Sequence, residues 1–244
     1  AGAQSRPGPT VGRAGAARSR PVGYPTDLVC PRTLPAVCFG IFSVDQRLPP
    51  RHAAARLGRP GATASDYLSV ANGTLRLAFF TMLVVMYVVR LPSRKADHRP
   101  QVVLFSLLGT FAMLLTAFLP AVPRGAGAIL ASDILLTVGM AWAVWGLAYL
   151  RRSFSILPEA RRLVTGGPYA LSRNPLYLGE GIASIGVVLP GFTIWHLLLL
   201  AVFVTSQLFR IQWEQKVLLA AFGEEYRNYL HRVPMLVPFW PVQN

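Results

Sequence analysis

Five apolar stretches separated by short polar turns constrain this chain more than any other feature. A helix needs ~20 apolar residues to cross the ~30 Å hydrocarbon core of a bilayer, and lipid offers the backbone no hydrogen-bond partners. Tyr67 to Val89, Gln101 to Val122 and Ile129 to Leu150 are long enough. Leu176 to Leu189 is short for a span, Pro190-Gly191 turns the chain, and Thr193 to Phe209 returns, so these two read as a helical hairpin. The expectation is an all-α, polytopic helical membrane protein with about five transmembrane helices.

Charge gives the topology. The chain is 53% apolar and only 14% charged, yet its formal net charge is +14, which excludes an ordinary soluble domain and a disordered protein. The excess comes from 22 Arg against 2 Lys, spread over loops. That distribution fits membrane topology and argues against a nucleic-acid groove. Arg90, Arg94, Lys95 and Arg99 follow the first stretch, and Arg151 and Arg152 follow the third. The turn after the second holds only Arg124, and the turn after the fourth holds no Arg or Lys. The positive-inside rule then puts the loop up to Pro175, and everything after Phe209, on one cytosolic face. A multi-pass protein of a bacterial inner membrane, with its active site towards the cytosol, is the expected setting.

Residues 1 to about 65 carry 9 Arg, 9 Pro and 8 Gly without periodicity, the composition of a largely disordered basic tail. Residues 66–244 form the membrane domain. Within the tail, Leu28 to Val44 is interrupted by Pro31, Arg32 and Pro35, so it reads as surface-lying or unstructured rather than spanning. A membrane element there would, however, relieve the placement of an Arg-rich tail on the outer side. Cys30 and Cys38 offer neither a disulfide framework nor metal-ligand spacing, and no metal is expected.

Two polar segments share the cytosolic face. The first is RRLVTGGPYALSRNPLYLG, Arg161 to Gly179. Its Gly-Gly-Pro turn exposes backbone N–H groups, and Asn174-Pro175 reads as an N-cap followed by proline at the first helical position. Donors and partial positive charge gather at such a helix start, where a carboxylate or phosphate can dock. The second is RIQWEQKVLLAAFGEEYRNYLHRVP, Arg210 to Pro234, read as a helix continuing out of the fifth stretch. Arg210 and Glu214 stand four apart, on the face that continues through Val217, Leu218 and Ala221. They either point at a bound group or form an exposed ion pair. Glu224 and Glu225 follow Gly223 and cap or solvate a short helix. Glu180, about one turn into the fourth stretch, is a functional candidate because acids at membrane depth are costly. Asp133 is expected to be solvated at the outer interface, Trp142 and Trp145 to belong to an aromatic belt, and His196 has no assigned role.

LVTGGPYALSRNPLYLGE followed by EQKVLLAAFGEEYRNYLHRVP resembles the isoprenylcysteine carboxyl methyltransferase and phospholipid methyltransferase superfamily of integral-membrane enzymes. The family motifs are Gly-Pro-Tyr, Arg-His-Pro-x-Tyr-x-Gly, a Glu-Glu pair, and Phe-Gly-x-x-Tyr-x-x-Tyr followed by Val-Pro. The resemblance covers about Leu147 to Pro238, within a cofactor half spanning 147–240. It implies S-adenosylmethionine as methyl donor, bound in a cytosolic C-terminal pocket between the loop and the last helix. Leu163, Val164, Gly167, Pro168, Tyr169, Arg173, Asn174, Pro175, Tyr177 and Gly179 fall on the cofactor motif, with Gln215 beside them. Arg210 and Glu214 fall on the Arg and first Glu near the reacting centre.

Two positions depart from the pattern. Asn174 replaces the family His; it still donates a hydrogen bond but does not titrate near neutral pH. Gln215 replaces the second Glu, keeping an acceptor and losing a charge. The implied activity is membrane-embedded methylation of an amphiphilic small molecule or lipid. Arg210 would clamp a carboxylate acceptor, and Glu214 would orient or deprotonate an amine. A nicotinamide-dependent membrane reductase of related architecture and a non-catalytic membrane scaffold are the alternatives. The expected partners are the bilayer and the acceptor, with neither metal nor nucleic acid.

Overall fold

In the computed structural model, residues 57, 60–89, 95–97, 99–120, 122 and 125–239 are described. Most of the expected tail, Leu28 to Val44, both cysteines, Arg90, Arg94 and Arg124 lie outside the described residues.

Helix α1 runs Ala64–Val88. Thr63 starts it through a capping box: Asp66 N donates to Thr63 Oγ1 at 3.3 Å, and Thr63 N donates to Asp66 Oδ2 at 2.9 Å. The reciprocal bonds satisfy two backbone donors that a helix start otherwise leaves open, so the helix begins before the apolar run does. Helix α2, Pro100–Phe111, carries proline at its first turn and tightens into a 3₁₀ segment, Ala112–Phe118. Helix α3 is Ala126–Leu150, α4 is Pro175–Val188, α5 is Ile194–Phe222, and α6 is Glu224–Leu230. Gly223, at φ 54°, breaks α5 from α6 in a conformation glycine adopts without side-chain strain.

Among the described residues, four helical segments are long and apolar enough to cross a membrane: Ala64–Met86, Pro100–Phe118, Ala126–Ser153 and Ile194–Phe222. The fifth expected element, α4, has 14 residues, about 21 Å at ~1.5 Å per residue, short of the bilayer core. Conversely α5, with 29 residues, extends ~43 Å, so its final turns project past an ~30 Å apolar slab. The protein is an all-α, multi-pass membrane protein.

The short helix holds its place by close approach to α3. A Cβ on Gly139 would lie 2.5 Å from Ala183 N, and one on Gly179 would lie 2.6 Å from Ala143 N. Ser132 Oγ adds a bond to the Gly186 carbonyl at 2.7 Å. Small residues every four positions let backbones touch where apolar transfer supplies little drive. Beside this crossing, Phe79 and Leu83 of α1 pack with Met140, Ala143 and Leu147 of α3, and with Phe154, Ile156 and Leu176. On the other side α2 meets α5, with the Phe105 ring 4.8 Å from Phe209 and 5.7 Å from Trp213.

One end of the bundle carries the polar segments. A two-residue antiparallel ladder pairs β1, Lys95–Ala96, with β2, Glu159–Ala160, and Asp97 N donates to the Pro158 carbonyl at 3.2 Å. Arg152 Nε reaches the Val89 carbonyl at 2.9 Å. The loops after α1 and α3 are thereby joined at the same end, as their shared basic character requires. In the opposite half, Ser65 Oγ of α1 donates to Oδ2 of the half-buried Asp133 at 2.7 Å, which gives the acid a partner within the bundle.

Candidate functional site

A cavity opens at this end between the last turn of α3, the loop to α4, the start of α4 and the projecting part of α5, with α6 as one wall. Leu163, Val164, Tyr169 and Arg173 line it from the loop. Asn174 and Tyr177 line it from the start of α4, and Arg210 and Glu214 from α5. These eight were singled out from the sequence, and the fold brings them together.

Five others are not on the cavity wall. Gly167, at φ 59°, begins the 3₁₀ turn Gly167–Ala170, where a Cβ would lie 2.3 Å from the Tyr149 ring. Pro168 and Pro175 are buried beneath the turn and the helix start. Gly179 faces α3 and serves the helix crossing described above. Gln215 follows Glu214 by one position and so is rotated off the shared face; its Nε2 is buried without a hydrogen-bond partner. These residues frame the loop and helices rather than present atoms to the cavity.

Asn174 departs from its expected local role. It occupies the N-cap position of α4, but its side chain makes no capping bond. Its Nδ2 donates instead to the Met235 carbonyl at 2.9 Å. Arg173 N donates to the Pro234 carbonyl at 2.9 Å. A backbone acceptor on the C-terminal segment orients the amide through its donor side, and residues 233–235 become a strap across the loop. Tyr229 Oη strengthens this wall by donating to the Tyr169 carbonyl at 2.6 Å.

At the inner end, Arg210 and Glu214 are not an exposed ion pair. Arg210 is 5% exposed. Its Nη1 donates to Gln207 Oε1 at 2.9 Å and its Nη2 to the Ile156 carbonyl at 3.2 Å, while Cζ lies 4.9 Å above the Tyr177 ring. The hydroxyl of that same tyrosine donates to Glu214 Oε1. Tyr177 thus separates the cation from the carboxylate, and each keeps capacity for a bound molecule. Arg210 Nε is buried without a hydrogen-bond partner.

Four further lining side chains were not among the expected site residues, although Tyr226 and Tyr229 are the tyrosines of the Phe-Gly-x-x-Tyr-x-x-Tyr motif. Glu159 and Arg161 form a buried ion pair, with side chains 2% and 3% exposed, and Ser155 Oγ donates to the same carboxylate at 3.0 Å. Their signal was alternation: flanking Ala160 in a strand, they point to one side. Tyr226 and Tyr229 share one face of α6 at three-residue spacing and pack with Val233. Burial pushes both phenols above their usual range, so they remain neutral donors. Burial also lowers Arg173, opposed by the two tyrosines; its guanidinium stays charged at any physiological pH. Arg173 Nε, too, is buried without a partner.

A helical membrane protein whose basic end holds a tyrosine-walled cavity, with a buried arginine and a carboxylate on either side of one tyrosine, is the class these observations define. A profile of the phospholipid methyltransferase family matches residues 126–225. Along 90% of the chain and 88% of the relative, it is 28% identical to a methanethiol S-methyltransferase of Mycobacterium tuberculosis. It is 41% identical over 71 residues to a methanethiol S-methyltransferase of Crocosphaera subtropica, where the match spans only 27% of the relative's length. A structure of the eukaryotic intramembrane Ras methyltransferase, isoprenylcysteine carboxyl methyltransferase, aligns with a TM-score of 0.47 at 21% identity, over 84% of this chain and 76% of that one. Residues 126–225 are thus similar to the phospholipid methyltransferase family, and similarity to a methanethiol S-methyltransferase extends over most of the chain.

Proposed function

We propose that the chain methylates a small thiol with S-adenosylmethionine as donor, in a bacterial inner membrane with the cavity towards the cytosol. The observation that carries this reading is the inner end of the cavity, where Glu214 and Arg210 lie on either side of Tyr177. The names of the relatives supply the thiol; the site supplies the reason such an acceptor would react.

The residues present fit S-adenosylmethionine. Arg173 lines the cavity and has a buried, unpartnered Nε, and its guanidinium suits the donor's carboxylate. Leu163, Val164 and Leu218 give an apolar surface for its adenine. When bound, it supplies an electrophilic methyl carbon on a sulfonium centre. Glu214 accepts the thiol proton, and Arg210 holds the resulting thiolate by charge and by its free Nε. Phe154, Leu157 and Leu176, all buried and lining the cavity, keep water from the nucleophile and strengthen the field of Arg210.

The test uses the full chain in detergent or nanodiscs with isotopically labelled S-adenosylmethionine. Methanethiol, a long-chain carboxylate and a long-chain amine are compared as acceptors. Labelled dimethyl sulfide from the first is expected. Transfer only to the carboxylate would move the acceptor to the amphiphilic class that Arg210 can clamp. Binding of NADPH without S-adenosylmethionine, or of neither, would sink the methyltransferase reading in favour of a reductase or a scaffold.

A further inference from the structure

Behind Arg210, and off the cavity wall, lies a buried polar chain that the proposed reaction does not use. Gln207 Nε2 donates to Glu180 Oε2 at 2.7 Å, and Gln207 Oε1 accepts from Arg210 Nη1 at 2.9 Å. Gln207 is 5% exposed. Glu180 does not line the cavity, although its depth in the fourth apolar stretch made it a candidate for doing so. The orientation of the amide is fixed by chemistry. A guanidinium only donates and an ionised carboxylate only accepts, so the carbonyl must face Arg210 and the NH₂ must face Glu180. On the remaining side, α2 closes in without a side chain: a Cβ on Gly109 would lie 2.8 Å from Gln207 Oε1 and 3.0 Å from Arg210 Cδ.

The arrangement solves a specific problem. A carboxylate in direct contact with Arg210 would occupy its donors in a bidentate pair and remove the guanidinium from service to a ligand. With no carboxylate nearby, a cation buried in the bundle would lack compensation. A glutamine spacer transmits the fixing effect of Glu180 through two aligned hydrogen bonds and leaves Arg210 Nε uncommitted.

We infer that Gln207 and Glu180 are positioning residues that aim the Arg210 guanidinium at the acceptor through an oriented amide relay. This rests on the methyl-transfer reading above. It requires the relay to act on turnover and not on donor binding, because the donor-side groups Arg173, Tyr226 and Tyr229 lie on other elements.

Glu180→Gln is the direct test. It preserves shape but replaces the carboxylate by a neutral amide, so the charge that anchors Gln207 Nε2 is lost while the guanidinium still faces the Gln207 carbonyl. The expected result is a fall in kcat of at least ~10-fold, with the dissociation constant for S-adenosylmethionine and the KM for donor within about twofold of the parent. Combined with Arg210→Lys, it should add little, because both changes disturb one group. Equal losses of kcat and donor affinity, or fully multiplicative effects in the double variant, would overturn the inference and leave the chain a structural strut. If Glu180→Gln does not fold, Gln207→Met keeps the volume and is judged by the same two criteria. A parent protein that transfers no methyl group to any acceptor would instead refute the reaction, an outcome the unsubstituted control separates from failure of the relay.

Discussion

Adding one methyl group to α2, at a position off the cavity wall, should disable the site by pressing on Gln207 and on the wall residue Arg210. In Gly109→Ala the new Cβ would sit 2.8 Å from Gln207 Oε1 and 3.0 Å from Arg210 Cδ, where ordinary contact begins at 3.4 Å. The neighbours must therefore retreat by about 0.4 to 0.6 Å, and both are side chains, so retreat is mechanically possible. It is not free, because Gln207 is held between Glu180 and Arg210 at 2.7 and 2.9 Å, and Arg210 is held by the Ile156 carbonyl. A shift of that size lengthens at least one of these bonds. Overpacking of this kind costs ~1–3 kcal/mol, and misplacement approaching 1 Å can cost ~10²-fold in rate. The expected result is a 10- to 100-fold loss of kcat on that scale, with donor affinity retained, read by labelled methyl transfer and by calorimetry on the same preparation. Gly127, in the first turn of α3 with nothing within 4 Å of its Cβ position, is the control, and Gly127→Ala should leave turnover unchanged. Parent-like kcat in Gly109→Ala would show that the position of Arg210 does not govern the rate.

Three more changes separate the chemistry from the frame. Glu214→Gln and Arg210→Lys should each lower turnover by at least ~10²-fold in the same transfer assay; Arg210→Lys should also lower the melting temperature, since it forfeits charge-assisted bonds worth ~1.5–3 kcal/mol each. Gly167→Val should weaken S-adenosylmethionine binding at least ~10-fold, because φ 59° and the Tyr149 ring 2.3 Å from the Cβ position both oppose a side chain, the first alone at ~1–2 kcal/mol; unchanged affinity by calorimetry would detach the loop from the donor. Gly139→Ala should destabilise by more than ~1 kcal/mol, because the obstacle is backbone, Ala183 N at 2.5 Å, and a melting curve matching the parent would refute the tight α3–α4 crossing.

What the sequence disclosed follows from how far each interaction reaches along the chain. The long helices were legible because apolar length is a local quantity, and their ends shifted by a few residues, at α1 through the Thr63–Asp66 box. The common face of Arg210 and Glu214 was legible for the same reason, since four-residue spacing fixes it. Their partners were not. Tyr177 meets Glu214 from 37 positions away, and Glu180 meets Gln207 from 27. An exposed pair with little effect on stability was therefore a fair reading of the spacing, and burial of Arg210 at 5% exposure replaces it. Gln207 carried one usable signal, its place one turn before Arg210 on the same face. Gly109 carried none, because a glycine in an apolar helix does not say which neighbour needs the room.

Asn174 shows how a tertiary contact can change the meaning of a motif position. Capping, worth ~1 kcal/mol, would use the Oδ1 acceptor, whereas the bond to the Met235 carbonyl, at 2.9 Å, uses the Nδ2 donor of the same amide and fixes its orientation. The neighbouring bond from Arg173 N to Pro234 O and the bond from Tyr229 Oη to the Tyr169 carbonyl place this asparagine within a clasp that joins the loop to the C-terminal strap. A histidine ring could donate one hydrogen bond at such a position and would also titrate near pH 6.5; the amide keeps the donor and has no titration in that range. The clasp is then indifferent to pH around neutrality. With Tyr226 and Tyr229 held neutral by burial, and Asn174 unable to exchange a proton, acceptance of the thiol proton in the proposed reaction rests with Glu214, and the loop is left to hold the donor.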